Sequence, residues 1–163
     1  MDRTMSREAL SKLLDQVTRD ITQEAGVALH LIDGDQGGPE GEVCTVSITF
    51  DRGMDTSLTL CGDWVLFSHL ARGILQTEDF TTQDVEDVAK EYLNVLCGHI
   101  LSRLFQVTKQ PARFGVPTFC RGRQEVDHAE KHIILNYAGD QNERAQLIHH
   151  APYREREAQP DSE

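Results

Sequence analysis

Several features that mark other classes of protein are absent from this chain of 163 residues. Its four cysteines, Cys44, Cys61, Cys97 and Cys120, stand singly, so we expect reduced thiols rather than disulfides or a zinc knuckle. No apolar run approaches the roughly 20 residues that cross a bilayer. The first five residues (MDRTM) contain no apolar signal segment. We therefore expect a cytoplasmic protein that does not enter the membrane.

Positive charge is scarce as well. The chain has 16 Lys and Arg against 27 Asp and Glu, which gives a formal net charge of −11. A surface of this sign repels a phosphodiester backbone, and no stripe of Lys and Arg with interleaved aromatic residues offsets it. The composition therefore argues against nucleic acid as a partner.

Length and composition indicate one folded domain followed by a short tail. With 163 residues and 39% hydrophobic content, the chain can bury a single core. Residues 152–163 contain one aromatic residue, Tyr153, and no aliphatic cluster. Ordering them would lose chain entropy with little apolar burial in return. We therefore predict a domain over residues 1–151 and a disordered tail over residues 152–163.

The order of elements nearly repeats itself. Hydrophobic periodicity predicts one long helix over residues 6–24, ended by Gly26, and another over residues 82–105. Alternating apolar residues predict three strands after each helix, at 27–32, 43–50, 57–60, and at 114–120, 132–137, 145–149. A short helix that begins after Gly62 separates the two units. The prediction is an α+β fold: a pseudo-symmetric, duplicated unit of one helix and three strands, with an antiparallel-rich sheet packed against the long helices.

The second long helix has a clear beginning and two distinct faces. Thr81 is a good N-cap, and Asp84 three residues later completes a short variant of the capping box. Spacings of three and four predict a buried stripe made of Val85, Val88, Ala89, Tyr92, Val95, Leu96 and Leu104. The opposite face starts acidic, ends small, and contains Asp84, Asp87, Glu91, Asn94, Gly98 and Ser102.

Glu91 and Asn94 are the most specific feature of that polar face. They lie three residues apart, so both side chains project from one side of the helix and can act on one target. A carboxylate beside a carboxamide can bind a charged group of a partner and orient a water molecule. Gly98, one turn beyond Asn94, would let the backbone of another protein approach closely. The alternative is an ordinary solvated helix face, since exposed faces are normally built of such residues.

Three motifs, in this order along the chain, resemble the CheC/CheX/FliM family. Residues 90–98 (KEYLNVLCG) are similar to the Glu-x-x-Asn signature of the family, and residues 102–104 (SRL) to its Ser-Arg-Leu. Residues 116–119 (VPTF), with Gly122 after them, are similar to its Leu-Pro-Thr-Val strand. The resemblance covers nearly the whole chain, from the first helix to the last strand.

The resemblance is closest to the CheX branch, because only one Glu-x-x-Asn is present. The first helix, where the two-site CheC pattern has a second copy, offers only residues 8–11 (EALS). Two positions depart from the family: Lys90 stands where it usually has Gly, and Cys97 where it often has Ala. Neither change removes a catalytic group, but Lys90 adds a bulky cation beside the docking face.

The resemblance implies a phosphatase that acts on the phosphoaspartate of a phosphorylated, CheY-like receiver domain. By this likeness, Asn94 holds the attacking water in line with the leaving carboxylate, and Glu91 pairs with the active-site lysine of the receiver. Mg²⁺ is expected on the receiver, with no cofactor bound by this chain. A homodimer that pairs sheet edges is also expected. The implied partner-binding residues are Asp84, Asp87, Lys90, Gly98 and Ser102.

Two alternatives to this function are considered: a protein of the same fold that does not catalyse a reaction, and a metal site formed by histidines. The first is a non-catalytic interaction module that binds a receiver or a flagellar-switch partner without hydrolysis. The second is a metal site built from His128 and His132 or from His149 and His150. No complete ligand motif is present, and adjacent residues of a strand point to opposite faces, so no metal is expected.

Overall fold

The described part of the chain folds into three helices and seven strands. The structure, a computed structural model, describes residues 5–33, 38–51, 57–109, 113–122 and 132–150. In chain order the elements are α1 (Arg7–Glu24), β1 (Leu29–Ile32), β2 (Val43–Asp51), β3 (Ser57–Asp63), α2 (Trp64–Leu75), α3 (Thr82–Thr108), β4 (Arg113–Phe114), β5 (Thr118–Arg121), β6 (Ile133–Gly139) and β7 (Arg144–His150). The predicted tail and His128 lie outside the described residues.

The described strands form one antiparallel sheet. Its order is β1-β6-β7-β3-β2, and both β4 and β5 pair with β2. The last strands of the two predicted units, β3 and β7, pair with each other at the centre. The first strand of each unit pairs with the middle strand of the other, β1 with β6 and β5 with β2. The predicted α+β fold is therefore confirmed, and its two halves are interleaved.

Several strand boundaries differ from the prediction by one to three residues, and those of β1 and β3 have a clear physical reason. β1 begins at Leu29 rather than at residue 27, because residues 25–27 close the end of α1 with backbone hydrogen bonds to the carbonyls of its last turn. β3 continues beyond residue 60 to Asp63. The carboxylate of Asp63 then accepts a hydrogen bond from the backbone N–H of Leu66 and caps α2, so strand and helix follow each other without a loop.

The predicted single strand over residues 114–120 is wrong. The structure has two short strands there, β4 and β5, separated by Gly115, Val116 and Pro117. Pro117 has no backbone N–H and cannot continue the ladder. The backbone N–H of Gly115 donates instead to the carbonyl of Thr49 at 2.9 Å, which holds the connection beside β2.

The core lies between the sheet and the helices, and α3 contacts both α1 and α2. The predicted buried stripe of α3 is confirmed except at Val95, whose side chain is 40% exposed. Three residues that were not predicted, Leu93, Cys97 and Ile100, are fully buried. Because α3 packs against α1, α2 and the sheet, a larger part of its circumference is buried than the predicted stripe. The centre of this buried part lies away from Val95.

The cysteines are not paired with one another. Cys44, Cys61 and Cys97 are buried and Cys120 is exposed, and no disulfide joins any of these four residues. Burial raises the pKa of the Cys97 thiol, on the core side of α3, to about 12.

Among the described helices, none combines the length and the apolar character needed to cross a bilayer.

Candidate functional site

The first turn of α3 is held by the predicted capping box. The Thr81 hydroxyl accepts from the backbone N–H of Asp84 at 3.0 Å, and the Asp84 carboxylate accepts from the backbone N–H of Thr81 at 2.9 Å. Asp87 accepts a hydrogen bond at 3.0 Å from the side-chain amide of Gln83. Two of the predicted partner-binding acids, Asp84 and Asp87, therefore also support the start of their own helix.

Tyr92 fixes the position of α3 against α1. Its hydroxyl lies 2.6 Å from the hydroxyl oxygen of Thr22, and Thr22 donates its own proton to the carbonyl of Thr18. Thr22 has only one proton to give, so Tyr92 is the donor in the contact between the helices. Burial raises the pKa of Tyr92 to about 12. Tyr92 is therefore a neutral donor that anchors the turn of α3 carrying Glu91 and Asn94.

Glu91 and Asn94 lie on the outer side of that anchored turn. Glu91 is exposed and Asn94 is half-buried. A helix turns by about 100° per residue, so their side chains leave the axis about 60° apart and one turn from each other. Within the described ranges, no hydrogen bond or ion pair joins either side chain to another residue. Both polar groups are therefore available to a molecule outside the chain.

Lys90, the family departure, is held at the flank of this pair. Its ammonium group lies 3.7 Å from the carboxylate of Glu86, one turn toward the start of the helix, and both side chains are partly exposed. An exposed pair of this kind contributes at most about 1 kcal/mol to stability. Glu86 therefore directs the cation of Lys90 toward the acidic end of α3 without removing it from the surface.

Gly98 and Ser102 continue the same face beyond Asn94. A Cβ atom added at Gly98 would meet no described atom within 4 Å apart from its chain neighbours and the backbone of its own helix, and Ser102 is exposed. Two apolar residues that sequence reasoning did not assign to the site, Val95 and Phe105, also face outward here. A helical wheel places both residues close to the direction of Glu91, which indicates an outward position. Val95 was nevertheless predicted to be buried, because it is apolar. α3 thus brings all the predicted site residues onto one side.

Of the four histidines considered for a metal site, the structure describes His132, His149 and His150. The rings of His132 and His150 lie with their centroids 4.9 Å apart on one face of the sheet, and His149 lies on the other face. Burial lowers the pKa of His149 to about 4. No group of three or more His, Cys, Asp or Glu side chains able to hold a metal ion occurs among the residues that the structure describes.

This fold class is known from solved structures of the chemotaxis protein CheX and of FliY. CheX from Desulfovibrio desulfuricans superimposes with a TM-score of 0.68 and 14% identity, over 86% of this chain and 97% of that chain. CheX in a CheX–CheY–BeF3–Mg²⁺ complex from Borrelia burgdorferi gives a TM-score of 0.68 and 13% identity, over 88% and 95%. FliY from Thermotoga maritima gives 0.58 and 12%, over 86% and 84%. At these identities the likeness establishes the fold alone.

The amino-acid sequence establishes the family to which the chain belongs. The model of the family described as chemotaxis phosphatase CheX matches residues 44–137, which are more than half of the chain and include all of α3. The chain therefore belongs to the CheX family, as the motifs of α3 and β5 predicted. The comparison with curated proteins gave no match.

Proposed function

We propose that this protein hydrolyses the phosphoaspartate of a phosphorylated, CheY-like receiver domain. The observation that carries the proposal is the pair Glu91 and Asn94: in a chain of the CheX family, they project from an anchored helix toward solvent, and no described residue binds either side chain. A helix that presents unpaired polar groups in a fixed geometry is suited to enter the active site of another protein.

Asn94 is the catalytic residue of the proposal. A phosphoaspartate is an acyl phosphate with a good leaving group, and a receiver holds its own Mg²⁺ and lysine against the phosphoryl oxygens. The remaining requirement is a water molecule held in line with the bond that breaks. The carboxamide of Asn94 can accept one hydrogen bond from this water and donate another to it, which fixes its direction. Its half-buried side chain loses less conformational freedom on binding than a fully exposed one would.

Glu91 is the docking residue. Its exposed carboxylate would form a charge-assisted hydrogen bond with the active-site lysine of the receiver. This contact sets the register of α3 on the receiver and thereby the place of Asn94. Asp84, Asp87 and Lys90 lie toward the start of the helix and would contact the rim of the receiver site, where ionic strength weakens their contribution.

Phosphate release from a panel of phosphorylated receiver domains tests the proposal. The full chain is expected to accelerate the loss of phosphate from at least one receiver above its own rate in Mg²⁺. Failure to accelerate any receiver encoded in the same genome would contradict it. Such a receiver acts in the cytoplasm, which is also where we expect this protein.

A non-catalytic interaction module is the second candidate. It is favoured by the same availability of Glu91 and Asn94, because a carboxylate and a carboxamide can bind a receiver without hydrolysis. The two candidates differ in one result: the module would bind the activated receiver and leave its rate of dephosphorylation unchanged.

We further propose that two copies of the chain pair through sheet edges. β1 forms an edge of the sheet, contains no proline, and carries Leu31 with its side chain 44% exposed. The edge strand of a sheet presents unpaired N–H and C=O groups to a second strand. Light scattering should give the mass of a dimer, and a monomer mass at high protein concentration would count against this assembly.

A further inference from the structure

Val95 and Phe105 are apolar side chains with no place in the core. Val95 is 40% exposed and Phe105 is 47% exposed. With about 100° of rotation per residue, they lie about 40° to either side of the line through Glu91 along the axis of α3. Both therefore belong to the face that carries the proposed site. We infer that these two residues extend the receiver-docking surface along α3 and supply its apolar contacts, an inference that rests on the proposed function.

Gly98 leaves this face open to something outside the chain. Glycine inside a helix costs about 1 kcal/mol relative to alanine, so a reason for it is expected. For Gly73 in α2 the reason is internal, because a Cβ atom there would lie 1.7 Å from the carbonyl oxygen of Ala25. At Gly98 a Cβ atom would meet no described atom within 4 Å beyond its chain neighbours and the backbone of its own helix. The protein's own packing therefore does not require glycine there, and a glycine would permit close approach by a partner.

The charge on this face changes along the helix. Asp84, Asp87 and Glu91 make its first half acidic, whereas residues 95–108 contain no Asp or Glu. The face passes from acids through the small residues Gly98 and Ser102 to the ring of Phe105. A complementary partner has a cationic centre beside an apolar surface. A receiver has a cationic centre in the lysine and Mg²⁺ of its phosphorylation site. The inference therefore requires an apolar surface of the receiver next to that site.

The dimensions fit a single receiver. From Asn94 to Phe105 the helix advances about 16 Å at 1.5 Å per residue. A standard interface buries about 800 Å² on each partner, which is a disc with a radius of about 16 Å. A receiver centred on Asn94 would therefore cover Val95 and Gly98 completely and reach Phe105 at its rim.

A second copy of this chain is the competing occupant. Val95 follows Asn94 directly and lies one turn from Glu91. A lasting contact between copies that covered Val95 would therefore also cover the proposed catalytic pair. A receiver that binds and leaves covers them only during the reaction, so the receiver is the occupant to which the inference commits.

Affinity for receiver domains charged with BeF3 and Mg²⁺ tests the inference, with the full chain and the receivers used for phosphate release. The variants are Val95→Thr and Phe105→Ser, and the control is Val107→Thr. Val107 is 46% exposed on the same helix but points about 160° away from Glu91. Val95→Thr is expected to weaken binding about fivefold to tenfold, the equivalent of losing most of one buried side chain, and Phe105→Ser to weaken it by a smaller factor, because Phe105 lies at the rim. The control should bind like the unmodified chain, and kcat at saturating receiver should stay within about twofold in all three.

Gly98→Ala provides a second variant with opposite effects on folding and binding. It should unfold at the same or a higher temperature, because alanine favours the helix, while its affinity for the activated receiver falls. Loss of affinity in this variant therefore cannot come from unfolding.

The possible outcomes separate this inference from the proposed function. If Val95→Thr and Phe105→Ser bind like Val107→Thr while phosphate release stands, the extended surface is overturned and the phosphatase remains. If Val95→Thr changes the mass of the assembly and leaves receiver affinity unchanged, the face belongs to a second copy and the inference fails. If the unmodified chain neither binds nor dephosphorylates any receiver, both proposals fall together.

Discussion

Tyr92 of α3 donates its hydroxyl proton to Thr22 of α1 across a distance of 2.6 Å inside the core. The contact joins residues 70 positions apart in the chain, and Tyr92 immediately follows Glu91. The same bond therefore stabilises the packing of two helices and sets the direction of the candidate site.

Tyr92→Phe removes this bond and keeps the ring. Thr22 still donates to Thr18 but loses the proton that it accepts, so the free energy of unfolding in urea should fall by about 1 kcal/mol. A double-mutant cycle with Thr22→Val provides the control. In a chain that already carries Thr22→Val, Tyr92→Phe should cost clearly less. An equal loss with and without Thr22→Val would show that the two hydroxyls are not coupled.

Asn94→Ala removes the carboxamide that orients the water. Phosphate release from the correct receiver should fall by about a hundredfold or more, the usual cost of losing one preorganised polar group. The fold should survive, because the side chain is only half-buried. Gln106→Ala is the matched control, since it removes an exposed carboxamide from the same helix. An unchanged rate in Asn94→Ala would refute the catalytic assignment.

Glu91→Gln keeps the size of the docking residue and removes its charge. We expect KM for the phosphorylated receiver to rise by about tenfold, since the lysine loses an oppositely charged acceptor and keeps only a neutral one. Added salt should weaken receiver binding less in this variant than in the unmodified chain. Glu86→Gln is the control, because Glu86 lies on the flank and pairs with Lys90. Equal effects from both substitutions would show that only the general charge of the helix matters.

His149 should make the fold less stable in weak acid. Burial, with a smaller effect of the neighbouring His150, His132 and Arg7, lowers its pKa from 6.5 to about 4. Between these values the unfolded chain binds a proton that the folded chain does not, so the free energy of unfolding falls as the pH falls. The loss from pH 6.5 to pH 4 should approach about 3 kcal/mol.

Urea unfolding at a series of pH values measures this dependence. His149→Gln cannot titrate and should flatten the slope between pH 6.5 and pH 4. His99→Gln, which changes an exposed histidine, should keep it. A slope that is the same in His149→Gln and in the unmodified chain would assign the acid sensitivity to other groups.

The site could be predicted from the sequence because it lies on one helix. Thr81 and Asp84 defined where α3 begins, and the positions of Glu91, Asn94, Gly98 and Ser102 followed from the helical repeat. Their proposed roles came from the family resemblance. Phe105 and Val95 were missed, because an apolar residue near the edge of a buried stripe can face either way.

The sequence by itself determined the features that depend on neighbours a few residues away. These include the ends of α1, the beginning and the polar face of α3, and the order of the long helices and the strands that follow them, because caps and periodicity act within one or two turns. Only the tertiary structure decided the features that depend on distant elements. It paired β1 with β6 and β5 with β2, and it placed His132 beside His150. It also packed a helix on each side of α3, which buried Leu93 and Ile100 and left Val95 exposed on the proposed docking face.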